Sequence, residues 1–309
     1  MSVVAVAGGT GSIGRAIVDA IIAQGKYEVI VLGRSSNKEH EESLCTRVVA
    51  TDYSDVHSLV ALFEQNKIHT VISTISGLAS PESELALITA ANQSKTTKRF
   101  IPSVFGVKYR LDQAWFPAAS TKIAAMIELE KTSLEWTIIC NGFFLDYWGM
   151  PKVKSYLSPT VIVLDVAAGK AAIPGIGSTP VVFTYSADVA KYVAACLTLP
   201  KWETESYVIG TKLSWNEFVK LAEEVRGVKF DVTYDSLDLM RSGRVTELPS
   251  HPYAYQYIPK EALQGMLATF GILFEEGQFD FEPKQTLNEL FPDIKPISAK
   301  EMVEIGWKA

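Results

Sequence analysis

Glycines, an arginine and a lysine in this chain have the types and spacing to hold a phosphorylated dinucleotide and move a proton beside it. Gly9, Gly11 and Gly14 fit G-x-G-x-x-G, and Gly8, Gly11 and Gly14 fit the looser G-x-x-G-x-x-G, with Thr10, Ser12 and Ile13 between them. In such a turn one glycine permits the tight bend, one lets the backbone approach a pyrophosphate, and one lets helix pack on strand. The phosphates meet free N–H groups at the helix N-terminus. Arg34 stands twenty positions past Gly14, followed by Ser35. A carboxylate there would accept hydrogen bonds from the ribose 2′-hydroxyl of NAD, whereas a guanidinium pairs with the 2′-phosphate of NADP. Glu28, the only nearby acid, lies at the far end of the preceding strand, so Arg34 with Ser35, and Lys38 close by, favours NADP(H).

The proton donor expected beside such a site is missing in its usual form. None of the 12 tyrosines has a lysine four residues later, so Tyr-x-x-x-Lys is absent. Lys122 stands instead within AASTKIAAMIELEK, one turn into a helix whose surroundings are apolar. Burial and a positive helix end both disfavour the ammonium and lower its pKa. A lysine so tuned can donate or relay a proton.

These residues need a scaffold, and the hydrophobic pattern supplies one. Val3–Ala7 reads as a strand buried on both faces, Arg15–Gln24 as an amphipathic helix and Glu28–Leu32 as a second strand, within the span of a βαβ unit. Strands are expected at Arg47–Ala50, Thr70–Thr74, Arg99–Pro102 and Trp136–Cys140, with helices at Ser54–Asn66, Ser83–Ser94 and Ala118–Lys131 between them. Six strands with helical crossovers make an α/β Rossmann-type doubly wound parallel sheet, which binds ligands beyond the carboxyl ends of its strands. The candidate cofactor contacts there are Asp52, Thr74, Ile75, Ser76, Ser103, Asn141, Gly142 and Phe143. Asp52 either meets the adenine edge or caps the helix beginning near Ser54.

The first 150 residues are therefore expected to form the NADP(H)-binding domain. Residues 151–309, richer in proline, glycine and aromatics, are expected to form a smaller α/β substrate lobe interwoven with it. Two helices stand out in that half, Ser186–Leu199 and Ser214–Arg226, the second opened by a Ser214/Glu217 capping box. Phe144, Tyr147 and Trp148 follow the sixth strand, and His251 and Tyr253 lead a second aromatic run. Together they suit a flat aromatic substrate.

Hydrophobic residues make up 48% of the 309 and charged residues 21%, as in an ordinary globular protein. The net charge of −6 argues against nucleic acid. No signal peptide and no transmembrane stretch is expected, which makes the cytoplasm the default compartment and a membrane an unexpected partner. Cys45, Cys140 and Cys196 show no C-x-x-C spacing and the four histidines no metal pattern, so no metal is expected. Composition admits a homodimer without demanding one.

Several segments resemble one family. GGTGSIG, LGRSS, RFIPSVFG, STKIAAMIELE and IICNGFFLDYW are together similar to the NmrA-like and isoflavone reductase-like group of atypical short-chain dehydrogenases/reductases, and TYSADVAKYVAACLTLP extends the likeness beyond Met150. The resemblance implies an NADPH-dependent reductase acting on small aromatic, quinonoid or unsaturated carbonyl compounds, with Lys122 in the place of the proton-transferring lysine. Val104 stands where the plant enzymes carry an acid, and the likeness runs toward fungal secondary-metabolism members. The group also includes redox-sensing regulators without catalysis, and an isomerase or cyclase without net oxidation is a third possibility on the same scaffold.

Overall fold

A computed structural model describes residues 1–35, 38–75 and 80–308. It divides into two compact units. The first comprises Met1–Cys140, Val189–Val208 and Gln285–Ile294; the second comprises Asn141–Asp188, Ile209–Lys284 and Lys295–Ala309.

In the first unit, strands β1 (Val3–Ala7), β2 (Glu28–Gly33), β3 (Arg47–Ala50), β4 (Ile68–Ser73), β5 (Arg99–Ile101) and β6 (Glu135–Trp136) form one parallel sheet, ordered β3-β2-β1-β4-β5-β6. Helices α1 (Ser12–Gln24), α2 (Lys38–Leu44), α3 (Val56–Gln65), α4 (Glu82–Gln93) and α5 (Pro117–Leu129) connect its strands. Every residue of β1 is buried, as the unbroken apolar run requires of a strand covered on both faces. Its neighbours β2 and β4 lead away in opposite directions, so the crevice of the sheet opens at the end of β1. Leu32, Val71, Phe100, Leu59, Phe63 and Leu87 pack the core on the face of α3 and α4.

The expected sixth strand, Trp136–Cys140, is divided. Glu135–Trp136 pairs with β5, and after Thr137 the segment β7 (Ile138–Cys140) changes partner to β12 (Glu205–Tyr207). The buried Thr137 hydroxyl meets Ser206 Oγ at 2.9 Å across that new pairing.

The second unit contains two small sheets. In one, β10 (Lys170–Pro174) lies between β14 (Asp231–Asp235) and β9 (Leu164–Asp165); in the other, β11 (Pro180–Thr184) lies between β13 (Thr211–Ser214) and β8 (Phe143–Phe144). Helix α7 (Trp215–Arg226) begins on the expected Ser214/Glu217 capping box and ends at Gly227, whose φ of 68° is left-handed. Helix α6 (Ser186–Cys196) carries the division between the units. Three helices of this unit go beyond the two expected ones: α8 (Leu237–Arg241), α9 (Lys260–Glu275) and α11 (Ala299–Trp307). The four-residue α10 (Leu287–Leu290) belongs to the first unit. No described helix is long and apolar enough to cross a membrane.

Candidate active site

The glycine turn is built by close approach. Gly8 has a φ of 77°, a conformation that strains any residue with a Cβ, and its N–H donates to the Leu32 carbonyl at 3.1 Å. A Cβ on Gly14 would lie 2.3 Å from Thr74 Oγ1 and 2.6 Å from the Gly8 carbonyl oxygen, so the first turn of α1 sits directly on the strand ends. Gly9 backs onto the Val18 and Val31 side chains, and Ile13 is buried. Gly11 faces open space, with nothing within 4 Å of its missing Cβ. Helix α1 has no side-chain cap, leaving its first N–H groups for a ligand.

These residues open onto a hollow of about 430 Å³ walled by Gly8, Thr10, Gly11, Ser12, Arg34, Tyr53, Thr74, Ile75 and Glu84. The Thr74 hydroxyl donates to the Ala7 carbonyl at 2.7 Å, and Ser103 Oγ donates to the Ile75 carbonyl at 2.9 Å, which ties the ends of β1, β4 and β5 together. Arg34 and Ser35 are exposed just past β2. Among the described residues, no acid pairs with Arg34. A second, more open hollow places Arg34 with Asp52, Tyr53 and Ser83. Asp52 does not cap α3. That helix starts at Val56, and its cap is Asp55, which accepts from Ser58 N at 3.1 Å. The Asp52 carboxylate accepts instead from the N–H and hydroxyl of Ser54, bonds that hold it below the usual carboxylate range. Ser76 lies outside the described residues.

A cradle made of uncapped N–H groups, an open glycine and an arginine with no acidic partner among the described residues fits a doubly anionic pyrophosphate and a third phosphate.

Lys122 lies in α5, which starts with Pro117 at its first position. Its Nζ donates to the Phe105 carbonyl at 3.1 Å and stands 5.4 Å from the centre of the Tyr109 ring. The residue keeps some exposure, yet the protein closes around its ammonium, and desolvation pushes its pKa down to about 8. Tyr109 is itself pushed up to about 12 by burial, so it stays neutral beneath the amine.

The second unit holds a separate cavity of about 480 Å³, walled mainly by apolar and aromatic side chains that include Tyr147, Met150, Leu164, His251, Tyr253, Tyr257 and Trp307. His251 Nδ1 accepts the Leu248 N–H at 3.1 Å, which places the ring proton on Nε2. That Nε2 has no hydrogen bond of ordinary geometry, although the Val161 carbonyl lies close enough to favour its protonation. Burial outweighs that influence and lowers the ring's pKa.

Trp148 does not join this cavity wall. It is 1% exposed, with its ring centroid 4.9 Å from that of Phe218, 5.4 Å from Phe183 and 5.6 Å from Trp215, in the aromatic core of the unit. Phe143 packs against Phe270 and Phe274 in the same way, and Phe144 pairs in register with Thr184. Gly142 has a φ of 71° and room for no side chain, since a Cβ would fall 2.1 Å from the Val182 carbonyl oxygen. The buried Asn141 gives its Nδ2 to the Gly142 carbonyl and leaves Oδ1 without a partner. Asn141, Gly142 and Phe143, expected beside the cofactor, all lie in the second unit.

The family model described as NmrA-like family matches residues 1–303. This chain belongs to the NmrA-like family. It is 38% identical over 299 residues to Oxidoreductase BOA1 of Botryotinia fuckeliana, covering 95% of each chain. To Oxidoreductase swnN of Metarhizium robertsii it is 32% identical over 334 residues, covering 99% of this chain and 98% of the relative. Among solved structures, AtPrR2 with NADP+ and (+)pinoresinol superposes with a TM-score of 0.76 at 25% identity, over 98% of both chains. Leucoanthocyanidin reductase from Vitis vinifera, bound to NADPH, shares the fold with a TM-score of 0.76 at 19% identity.

Two buried carboxylates of this NmrA-like protein escaped sequence reasoning. Asp146 is fully buried and accepts from the Ser186 N–H at 2.8 Å and from the hydroxyls of Ser155 and Ser186 at 2.5 Å, bracing the second unit. Glu84 lies on the wall of the hollow beside the glycine turn. The readable trace of Glu84 is the pair of serines at strand ends, Ser73 and Ser103, that bind its carboxyl.

Proposed function

We propose that this NmrA-like protein is an NADPH-dependent reductase that delivers hydride to a small aromatic, quinonoid or α,β-unsaturated carbonyl compound of secondary metabolism. The observation that carries the reading is Lys122, an amine held at Phe105 and tuned by burial to about 8 in the unit that bears the dinucleotide hollow. Bound NADPH supplies the hydride. The N–H groups of Ser12, Ile13 and Gly14 hold its pyrophosphate, and Arg34 pairs with its 2′-phosphate. Lys122 supplies the proton that completes the reduction. The aromatic cavity of the second unit, with Tyr147, His251 and Tyr253 on its wall, supports an aromatic substrate, as does the pinoresinol bound by AtPrR2.

The test is NADPH oxidation across aromatic ketones, quinones and enones, with the product mass determined. A gain of two hydrogens with cofactor consumption is expected. An unchanged product mass would point to an isomerase, and cofactor binding without consumption to a regulator. For the cofactor assignment, Arg34→Ala is expected to weaken NADPH by about 1.5–3 kcal/mol, the worth of a charge-assisted hydrogen bond, and to leave NADH nearly unchanged. Binding titrations with both cofactors decide it, and equal losses would refute the role of Arg34.

A further inference from the structure

Glu84 stands in the first turn of α4, where a carboxylate ordinarily faces water, yet it is only 7% exposed. Its Oε2 accepts from Ser73 Oγ at the end of β4, and its Oε1 accepts from the Ser103 N–H at 2.9 Å, just past β5. It forms part of the wall of the dinucleotide hollow, beside Thr74 and Ile75. Among the described residues, no cation pairs with it.

A sheet ordered 3-2-1-4-5-6 holds a dinucleotide as two halves, the adenosine half toward β1–β3 and the nicotinamide half toward β4–β6. The partners of Glu84 lie at the end of β4 and just past β5. Its carboxyl therefore lies at the strand ends expected to take the half of the cofactor whose charge changes in the reaction, the nicotinamide being neutral when reduced and cationic when oxidised.

We propose that Glu84 distinguishes oxidised from reduced cofactor, carrying a proton while the bound nicotinamide is neutral and releasing it to solvent when the ring is cationic. The inference rests on the NADP(H) reading above. In the release, the carboxyl O–H bond breaks, its electron pair stays on the carboxylate, and the proton passes to buffer. Replacement of NADP+ by NADPH reverses the step. A buried carboxyl without a cation is sensitive to one, because an opposite charge nearby favours ionisation. Linkage makes the effect reciprocal: the factor by which the cationic ring favours ionisation is the factor by which ionised Glu84 tightens NADP+.

Burial raises the pKa of Glu84 to about 7, against the opposing hydrogen bonds from Ser73 and Ser103, so both forms are accessible near neutrality. Helices packed on α4 bring His57 and Glu64 from α3 and Lys122 and Glu128 from α5, the strands leading to Ser73 and Ser103 bring His69 from β4 and Arg99 from β5, and none of these charges contributes to that shift. On the hollow's own wall, Tyr53 stays neutral, pushed up to about 12, and Arg34 is the other ionisable neighbour.

The test is to measure Kd for NADP+ and for NADPH by calorimetry from about pH 5.5 to about pH 8.5, with the wild-type protein and with Glu84→Gln. The 2′-phosphate titrates in both cofactors and cancels in the ratio. In the wild type, NADP+ is expected to tighten relative to NADPH by about tenfold as pH rises through neutrality. Glu84→Gln keeps an oxygen for the Ser103 N–H but has no titrating proton, and its ratio is expected to stay constant within about twofold. Wild-type protein alone gives a second readout in buffers of different ionisation enthalpy, where NADP+ binding near neutral pH should release about half a proton more than NADPH binding. A flat wild-type ratio, equal proton release for the two cofactors, or an unchanged slope in Glu84→Gln overturns the proposal. Failure to bind either cofactor would overturn the NADP(H) reading itself.

Discussion

Lys122→Ala is expected to lower turnover by about 10²–10⁴-fold, the range that a positioned proton donor contributes, while leaving the Kd for NADPH within about threefold of wild type. Its direction with pH follows from the amine's environment. A donor must carry its proton, so the rate should be flat below a pKa of about 8 and fall about tenfold per pH unit above it. The same burial has a stability signature of opposite sense. The folded state binds the Lys122 proton more weakly than the unfolded chain does, so folding is penalised by roughly 3 kcal/mol below the folded pKa. The penalty shrinks as pH rises from about 8 toward the ordinary lysine value of 10.5 and vanishes above it. Lys122→Met, which fills the space without a charge, should therefore raise the melting temperature at neutral pH while abolishing reduction. A variant that loses both stability and activity would mark Lys122 as a structural lysine held by Phe105.

The pattern of what was legible in the chain follows the range of each interaction. The first βαβ unit was readable because its determinants are local. A continuous apolar run demands burial on both faces, and the spacing of Ala16, Ile17 and Ile21 gives α1 a buried side. The capping box at Ser214 and Glu217 was equally local. The split of Trp136–Cys140 was not, since it depends on a partner strand at Glu205–Tyr207, far along the chain. Helix α9 was concealed by its composition: Pro259 gives it no side-chain cap, and Gly265 and Gly271 interrupt its pattern. Gly271 has a tertiary reason, because a Cβ there would fall 2.4 Å from Met240 Sδ.

Among site residues the same division holds. Spacing alone brought Gly8, Thr10, Gly11, Ser12, Arg34, Thr74 and Ile75 to one hollow, since each follows a strand end in a doubly wound sheet. Aromatic residues carry no such address. Tyr147 and Trp148 are neighbours in sequence, yet one lines the cavity of the second unit and the other fills its core, a choice made by Phe183, Trp215 and Phe218. Glu84 was hidden for the opposite reason. An acid in a first helical turn is favourable in water, so nothing in its local sequence signals burial.

Gly14→Ala is expected to weaken NADPH by more than about 100-fold, a loss near 3 kcal/mol, and to destabilise the fold by about 1–3 kcal/mol. The added methyl would sit 2.3 Å from Thr74 Oγ1 and 2.6 Å from the Gly8 carbonyl oxygen, both impossible contacts. Neither neighbour can yield easily. Gly8 is held by its N–H bond to Leu32, and Thr74 is held twice to the Ala7 carbonyl, through its N–H at 2.9 Å and its hydroxyl at 2.7 Å. Relief must come from α1 lifting off the strand ends, which turns its free N–H groups away from the hollow. Gly11→Ala provides the contrast, because its Cβ meets nothing within 4 Å and the backbone there, at a φ of −156°, tolerates any residue. That variant should melt within about 2 °C of wild type, a change of at most roughly 0.5 kcal/mol, yet bind NADPH more weakly because its methyl projects where the pyrophosphate must approach. Melting curves and NADPH titrations on the pair separate the two functions of the turn. A Gly14→Ala protein with wild-type affinity would show that the cofactor does not rest on this helix.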